Sequence, residues 1–275
     1  MNVKALKNHI ILFDSECPMC NLYTGAFIKS GMLDKEGRAP YQQMPEKICA
    51  LVDRQRAVNE IALVDTQTGQ VSYGVQSLFK IIGNSFPMFQ SLFSFKPFVW
   101  LMSKSYAFVS YNRRVIMPSA QRETFDTMPS FKLSYRIAYL IFSWWLASYI
   151  LSIYAPLLTP SVPIGHPYRE YLVCGGQIFF QGAIISFYRK DKLWDYLGNM
   201  MTISLAASLV LLVGMLILNI IGPPAITYVL LFLAIAGLML LEHIRRSTIL
   251  RIGWTMTITW VLYRVIVLAV ILILG

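Results

Sequence analysis

The sequence predicts a chain in two parts: an α/β domain, then an all-α bundle of about five transmembrane helices. Three observations predict it. Charged residues crowd into the first half, a cysteine pair sits between a strand-like run and a helix-like run, and five long apolar stretches follow Lys132. Of 275 residues, 56% are hydrophobic and 14% are charged, whereas an ordinary soluble domain carries about a quarter charged residues. The expected boundaries are residues 1–118 for the first domain, 119–132 for a linker and 133–275 for the helical part.

The net charge of +10 is not gathered into one basic, aromatic-interleaved stripe. Nucleic acid is therefore not an expected partner. Basic residues flanking membrane spans on the cytoplasmic side account for the charge better, with the lipid bilayer as the partner. Residues 1–9 are polar and the apolar run 10–13 is shorter than a signal-peptide core, so no signal peptide is expected.

The run His9-Ile10-Ile11-Leu12-Phe13 reads as a buried strand. Asp14-Ser15-Glu16 breaks it, Cys17-Pro18-Met19-Cys20 follows, and residues 21–30 read as a helix. A dithiol at a helix start is suited to redox chemistry. The positive end of the helix favours the thiolate, which is the reactive species, and Pro18 fits a first turn that needs no donor. Residues 39–42 are expected to be extended, with a helix from Pro45 to about 55. Strands follow at 60–65 and 70–73, then an amphipathic helix over 74–82. Two readings stay open for Asp14: a cap for the helix, or a proton-transfer group for the cysteines. Glu16 is expected to be solvated in the loop and Cys49 to be a small buried residue. Gly74, Gln76 and Ser77 either bind a peptide backbone or glutathione at a helix start, or form an ordinary turn and cap. No set of Cys and His has the spacing of a structural zinc site, so no metal is expected.

The order strand, CxxC, helix, strand, helix, two strands, helix is the minimal thioredoxin or glutaredoxin topology. The stretch Phe13-Asp14-Ser15-Glu16-Cys17-Pro18-Met19-Cys20-Asn21 resembles the DxxCxxC signature of the DCC family of thiol-disulfide oxidoreductases. Residues 61–65, 73–78 and the aromatic and basic tail ending Tyr111-Asn112-Arg113-Arg114 resemble the rest of that family's domain. The resemblance implies a thioredoxin-like fold and a redox-active disulfide between Cys17 and Cys20. It also implies an exchange partner that is a protein or small-molecule thiol or disulfide. One departure stands out: residues 56–59 contain no proline where thioredoxins carry a cis-proline facing the dithiol. Cys17 is expected to be the exposed, acidic thiol and Cys20 the buried one.

The five apolar stretches cover about 135–157, 171–188, 193–221, 225–241 and 253–274, and a span needs about 20 apolar residues. Basic connectors around 189–192 and 245–251 alternate with connectors poor in charge. The positive-inside rule then puts the first domain in the cytoplasm and the C-terminus in the periplasm of a bacterial inner membrane. Arg264 lies near mid-span, where an ionisable group needs a partner or a function. By depth Gln181 is its expected partner. Asp195, Asn199, Glu242 and His243 are expected as a polar cluster nearer the cytoplasmic face, with His243 at the interface. Gly175-Gly176 beside Cys174 suits close helix packing. A quinone is conceivable as an electron carrier. However, the membrane half holds only Cys174, so a complete thiol relay to the outer face is not supported and no cofactor is expected. The competing reading is a non-enzymatic redox-sensing or structural subunit of a larger membrane complex.

Overall fold

The computed structural model describes residues 4–44, 46–119, 130–159 and 161–274. The expected linker, 119–132, lies largely outside the described residues. The chain divides into two compact units, Met1–Tyr135 and Arg136–Gly275.

The first unit is built on a small mixed sheet of β1 (His9–Phe13), β2 (Arg38–Pro40), β3 (Ala62–Asp65) and β4 (Val71–Tyr73), in the order β2-β1-β3-β4. β2 runs parallel to β1, while β3 is antiparallel to both β1 and β4. Side chains alternate across a strand, so β1 and β3 feed two cores. Ile11 and Leu63 join Leu33, Ile61 and Ile81 on one face. Leu12, Ala62 and Val64 join Tyr41, Ile48 and Val52 on the other. Each fully buried aliphatic side chain contributes about 1.5–3 kcal/mol, enough to fix the register of so short a sheet.

Helix α1 (Pro18–Lys29) follows β1 directly. The helix expected from Pro45 to about 55 is instead two pieces, α2 (Glu46–Cys49) and α3 (Arg54–Asn59). The division falls where the Asp53 carboxylate accepts from the Arg56 backbone N–H and caps a new helix. The expected extended stretch 39–42 is shorter too, because Tyr41–Gln43 is a 3-10 turn. Cys49 is half-buried rather than buried, and its sulfur accepts from Arg54. Beyond α4 (Val75–Ser85) come α5 (Gln90–Ser94) and the long α6 (Lys96–Ile116), held to α4 by a stack of Phe79, Phe93 and Phe98.

The second unit is helical. Among the described residues, five helices are long and apolar enough to cross a membrane, which marks a multi-pass membrane protein. They are α7 (Leu133–Tyr154), α8 (Arg169–Tyr188), α9 (Leu193–Ile221), α10 (Ala225–Leu250) and α11 (Thr255–Leu274). Gly222, in the left-handed conformation, closes α9 before the Pro223-Pro224 break. The fourth helix runs nine residues past its expected end at 241. Arg245 and Arg246 therefore lie in its last turns, and the connector to α11 is only residues 251–254.

Candidate functional site

The loop between β1 and α1 presents the dithiol. Cys17 is the N-cap of α1, and its sulfur accepts from the Cys20 backbone N–H at 3.4 Å. The loop is clamped from three sides. Gln42 accepts from the Ser15 N–H and donates to Asp14. The Asn21 amide donates to the Ser15 carbonyl and accepts from Arg38, which lies over the Phe13 ring. The Thr24 hydroxyl donates to the Cys20 carbonyl.

Cys17 is depressed from an ordinary 9.0 to about 6. The hydrogen bond from the Cys20 thiol is the largest cause. Burial opposes it, and the Cys20 N–H and the charge of Arg113 assist. Cys20 is pushed up by donating to Cys17 and by burial, against the pull of Arg113 and a hydrogen bond from Tyr23. Expected to be exposed, Cys17 is in fact only 1% exposed, against 3% for Cys20. Phe13, Met19 and Tyr23 pack in one apolar cluster with the two cysteines.

Asp14 does not cap α1, because Cys17 occupies that position. Its carboxylate is buried and fully engaged. One oxygen accepts from the Glu16 N–H and Gln42, the other from Arg113 at 3.2 Å and Arg114 at 3.0 Å. Glu16, expected to be solvated, is largely buried and pairs with Arg114 at 3.6 Å. Arg113 also donates to the carbonyls of Val58 and Asn59, just before β3, and Ser110 donates to Asn59 as well. The segment lacking the expected proline is thus held by α6. Tyr106 of the same helix accepts from the Ile61 N–H, and burial raises its phenol to about 12. Arg113, Arg114, Tyr106, Gln42 and Tyr23 are the site residues that sequence reasoning missed. The Arg113-Arg114 pair was visible only as a basic tail.

Gly74, Gln76 and Ser77 do not form a free binding edge together. The Ser77 hydroxyl is spent on the Ser72 carbonyl, and Gly74 is buried at φ +60°. A Cβ at Gly74 would come within 2.9 Å of Glu60. Only Gln76 is exposed.

In the helical unit, Arg264 donates to Gln177 at 3.3 Å and lies over the Trp260 ring. The expected partner, Gln181, is instead taken by the Tyr196 and Thr259 hydroxyls. Gln177 lies one turn before Gln181 on α8, which is why depth alone selected the wrong glutamine. Tyr196 donates to Gln181, and its hydroxyl also shares a hydrogen bond with His243 Nε2 at 3.2 Å. His243 Nδ1 lies within hydrogen-bond distance of the Thr257 and Ser247 hydroxyls. His243 is therefore buried inside the bundle, not interfacial. The expected cluster forms in two pieces. Arg246 joins Glu242 to Asn199, and Arg136 pairs with Asp195. A Cβ on Gly175 would meet Trp144, and one on Gly176 would meet Tyr263, so α7 and α11 pack closely on this pair.

Compared with known proteins, the chain matches no family model, no curated protein and no solved structure.

Proposed function

We propose that this chain is a membrane-anchored thiol-disulfide oxidoreductase of the DCC type, with a thioredoxin-like first domain. The single observation that carries the reading is Cys17 at the start of α1, depressed to about 6 beside Cys20 and Arg113. The strand order β2-β1-β3-β4, with β3 reversed and the dithiol directly after β1, supports the thioredoxin-like reading.

In this reading the Cys17 thiolate attacks one sulfur of a substrate disulfide and expels the other as a thiolate. Cys20 then loses its proton, attacks the Cys17 sulfur and releases the second substrate thiolate. The substrate gains two electrons and the chain keeps a Cys17–Cys20 disulfide. Arg113 steadies each protein thiolate as it forms, since its charge favours ionisation of both cysteines. Asp14, with its lone pairs engaged, acts through Arg113 as a positioning residue and not as the proton acceptor. A cytoplasmic site favours reduction of the substrate. Residues 189–192 and Arg251, with Arg245 and Arg246 in the turns before it, support a cytoplasmic first domain and a periplasmic C-terminus in a bacterial inner membrane.

Deep burial of both sulfurs favours the second reading, a redox-sensing or structural subunit of a larger membrane complex. Purification from native membrane after Cys20→Ser separates the two. The enzyme reading expects a mixed disulfide trapped on Cys17. A Cys17 that ionises near pH 6 in the wild type, yet traps nothing in Cys20→Ser, favours the second.

A further inference from the structure

The outer side of the α5–α6 hairpin carries the wrong chemistry for water. Its inner side is complete, with Phe93 and Phe98 stacked on Phe79. Its outer side bears Phe95 at 57% exposure, Trp100 at 64%, and Leu92 and Leu101, also exposed, with Met88 at 71% in the 3-10 turn just before it. On α6, Pro97, Trp100, Leu101 and Lys104 all face outward at spacings of three and four, so they form one stripe of the helix. Lys96 opens this helix and Lys104 closes the stripe. Scattered exposed apolar residues need no explanation, but a run of this kind marks an interaction surface.

Two observations choose the occupant. From residue 66 to residue 122 the chain has Lys80, Lys96, Lys104, Arg113, Arg114 and Arg122 and no Asp or Glu at all. Of these, Arg113 and Arg114 are engaged with Asp14, which leaves the hairpin's lysines without acidic neighbours in the surrounding sequence. An apolar, aromatic face rimmed by lysines fits the headgroup region of an anionic bilayer. There a tryptophan sits with its polar edge wet, and lysine stems lie along apolar surface. The second observation is proximity. Only the sixteen residues 117–132 separate α6 from the first membrane-crossing helix, a reach of at most about 55 Å. The domain is held at high effective concentration over the bilayer of its own anchor.

We infer that the α5–α6 hairpin is a membrane-interface anchor that seats Trp100, Leu101 and Phe95 among anionic lipid headgroups. The dithiol domain then rides on the bilayer surface through its own helix α6. This helix carries Tyr106 and Arg113 to the cysteines, so the docking element and the element completing the site are one piece of secondary structure.

The test uses the full chain in nanodiscs of phosphatidylcholine with and without phosphatidylglycerol, containing lipids with a nitroxide near the headgroup. The signal of Trp100 is the difference between wild type and Trp100→Phe. The expected result is strong nitroxide quenching of that difference, with little quenching by aqueous acrylamide. Each lysine at an anionic surface contributes on the order of 1 kcal/mol, about fivefold in docking. Lys96→Gln with Lys104→Gln should therefore reduce quenching in phosphatidylglycerol discs more than in phosphatidylcholine alone. Acrylamide access without nitroxide quenching overturns the inference, as does protection from both quenchers, which means a protein partner or a second copy covers the face. A photo-crosslinking residue at Leu101 gives a second readout. Adducts to lipid support the inference and adducts only to protein overturn it.

Discussion

Arg113 and Asp14, 99 positions apart in the chain, meet at 3.2 Å with both side chains buried. Breaking such a pair leaves a charge uncompensated in the interior and costs about 3–5 kcal/mol. Asp14→Asn and Arg113→Met are each expected to destabilise the chain by about 3 kcal/mol, with the double variant losing clearly less than the sum. Urea unfolding in detergent, followed by release of the buried thiols, checks this. Simple additivity would remove the pairing from any account of the site.

The same two residues should move the ionisation of Cys17 in opposite directions. Arg113 lowers it and the Asp14 charge raises it. The midpoint of alkylation against pH is expected at about 6 in the wild type, higher in Arg113→Met and lower in Asp14→Asn. Cys20→Ala, which removes the largest cause of the depression, should raise it most. Because Cys17 is buried, its alkylation should be slow in absolute rate at every pH. A midpoint that stays near 6 in Cys20→Ala would contradict the assignment.

Stability follows from the same shift. A thiol depressed on folding from 9.0 to about 6 stabilises the folded state fully above pH 9. That contribution shrinks as pH falls towards 6 and is absent below it. Cys20, raised on folding, works the other way only above its unfolded value near 9. Between pH 6 and 9 the wild type should therefore gain stability with pH relative to Cys17→Ser, measured by chemical denaturation at several pH values. A flat difference would mean that Cys17 is not ionised in the folded protein.

In the bundle, Arg264 and Gln177 are the coupled pair. Arg264→Leu and Gln177→Leu are expected to show a coupling of about 0.6 kcal/mol and at most about 1.7 kcal/mol in a double-mutant cycle, the average and maximum for polar contacts between membrane helices. Arg264→Leu and Gln181→Leu should add, because Gln181 serves Tyr196 and Thr259 instead. Unfolding in mixed micelles reads both cycles, and coupling through Gln181 alone would reverse the assignment.

Orientation is open to a direct check. A reporter fused after Gly275 should read periplasmic and one inserted at Lys190 cytoplasmic, from the basic residues at 189–192 and 245–251. The opposite pattern would invert the bundle and put the dithiol in an oxidising compartment.

The individual strands, the dithiol loop and the five long helices were legible because they are local. A continuous β-branched, apolar run marks β1, the helix start marks Cys17, and hydropathy marks the spans. What was hidden depends on contacts between distant positions. Nothing around Asp14 announces that two arginines from α6 will take its oxygens. Nothing in the pattern of α8 tells Gln177 from Gln181, which differ by one turn. Asp53 did carry a local signal, a capping residue ahead of Arg54, but the run from Pro45 masked it. The reach of α10 to Leu250 was missed because Glu242, Arg245 and Arg246 look like a loop until they pair with one another and with Asn199.

The hold of α6 on the segment before β3 also orders events during synthesis. Domains form from the N-terminus as the chain emerges from the ribosome, so both cysteines and all four strands are made well before Arg113. Until that residue emerges, Asp14 is a carboxylate without its counter-ions, and the carbonyls of Val58 and Asn59 lack the donor that α6 supplies. The nascent dithiol therefore lacks the cation that favours its thiolate. It acquires that cation only about twenty residues before the first apolar helix begins at Leu133, so the Asp14 carboxylate gains its counter-ions as the chain starts to deliver that helix.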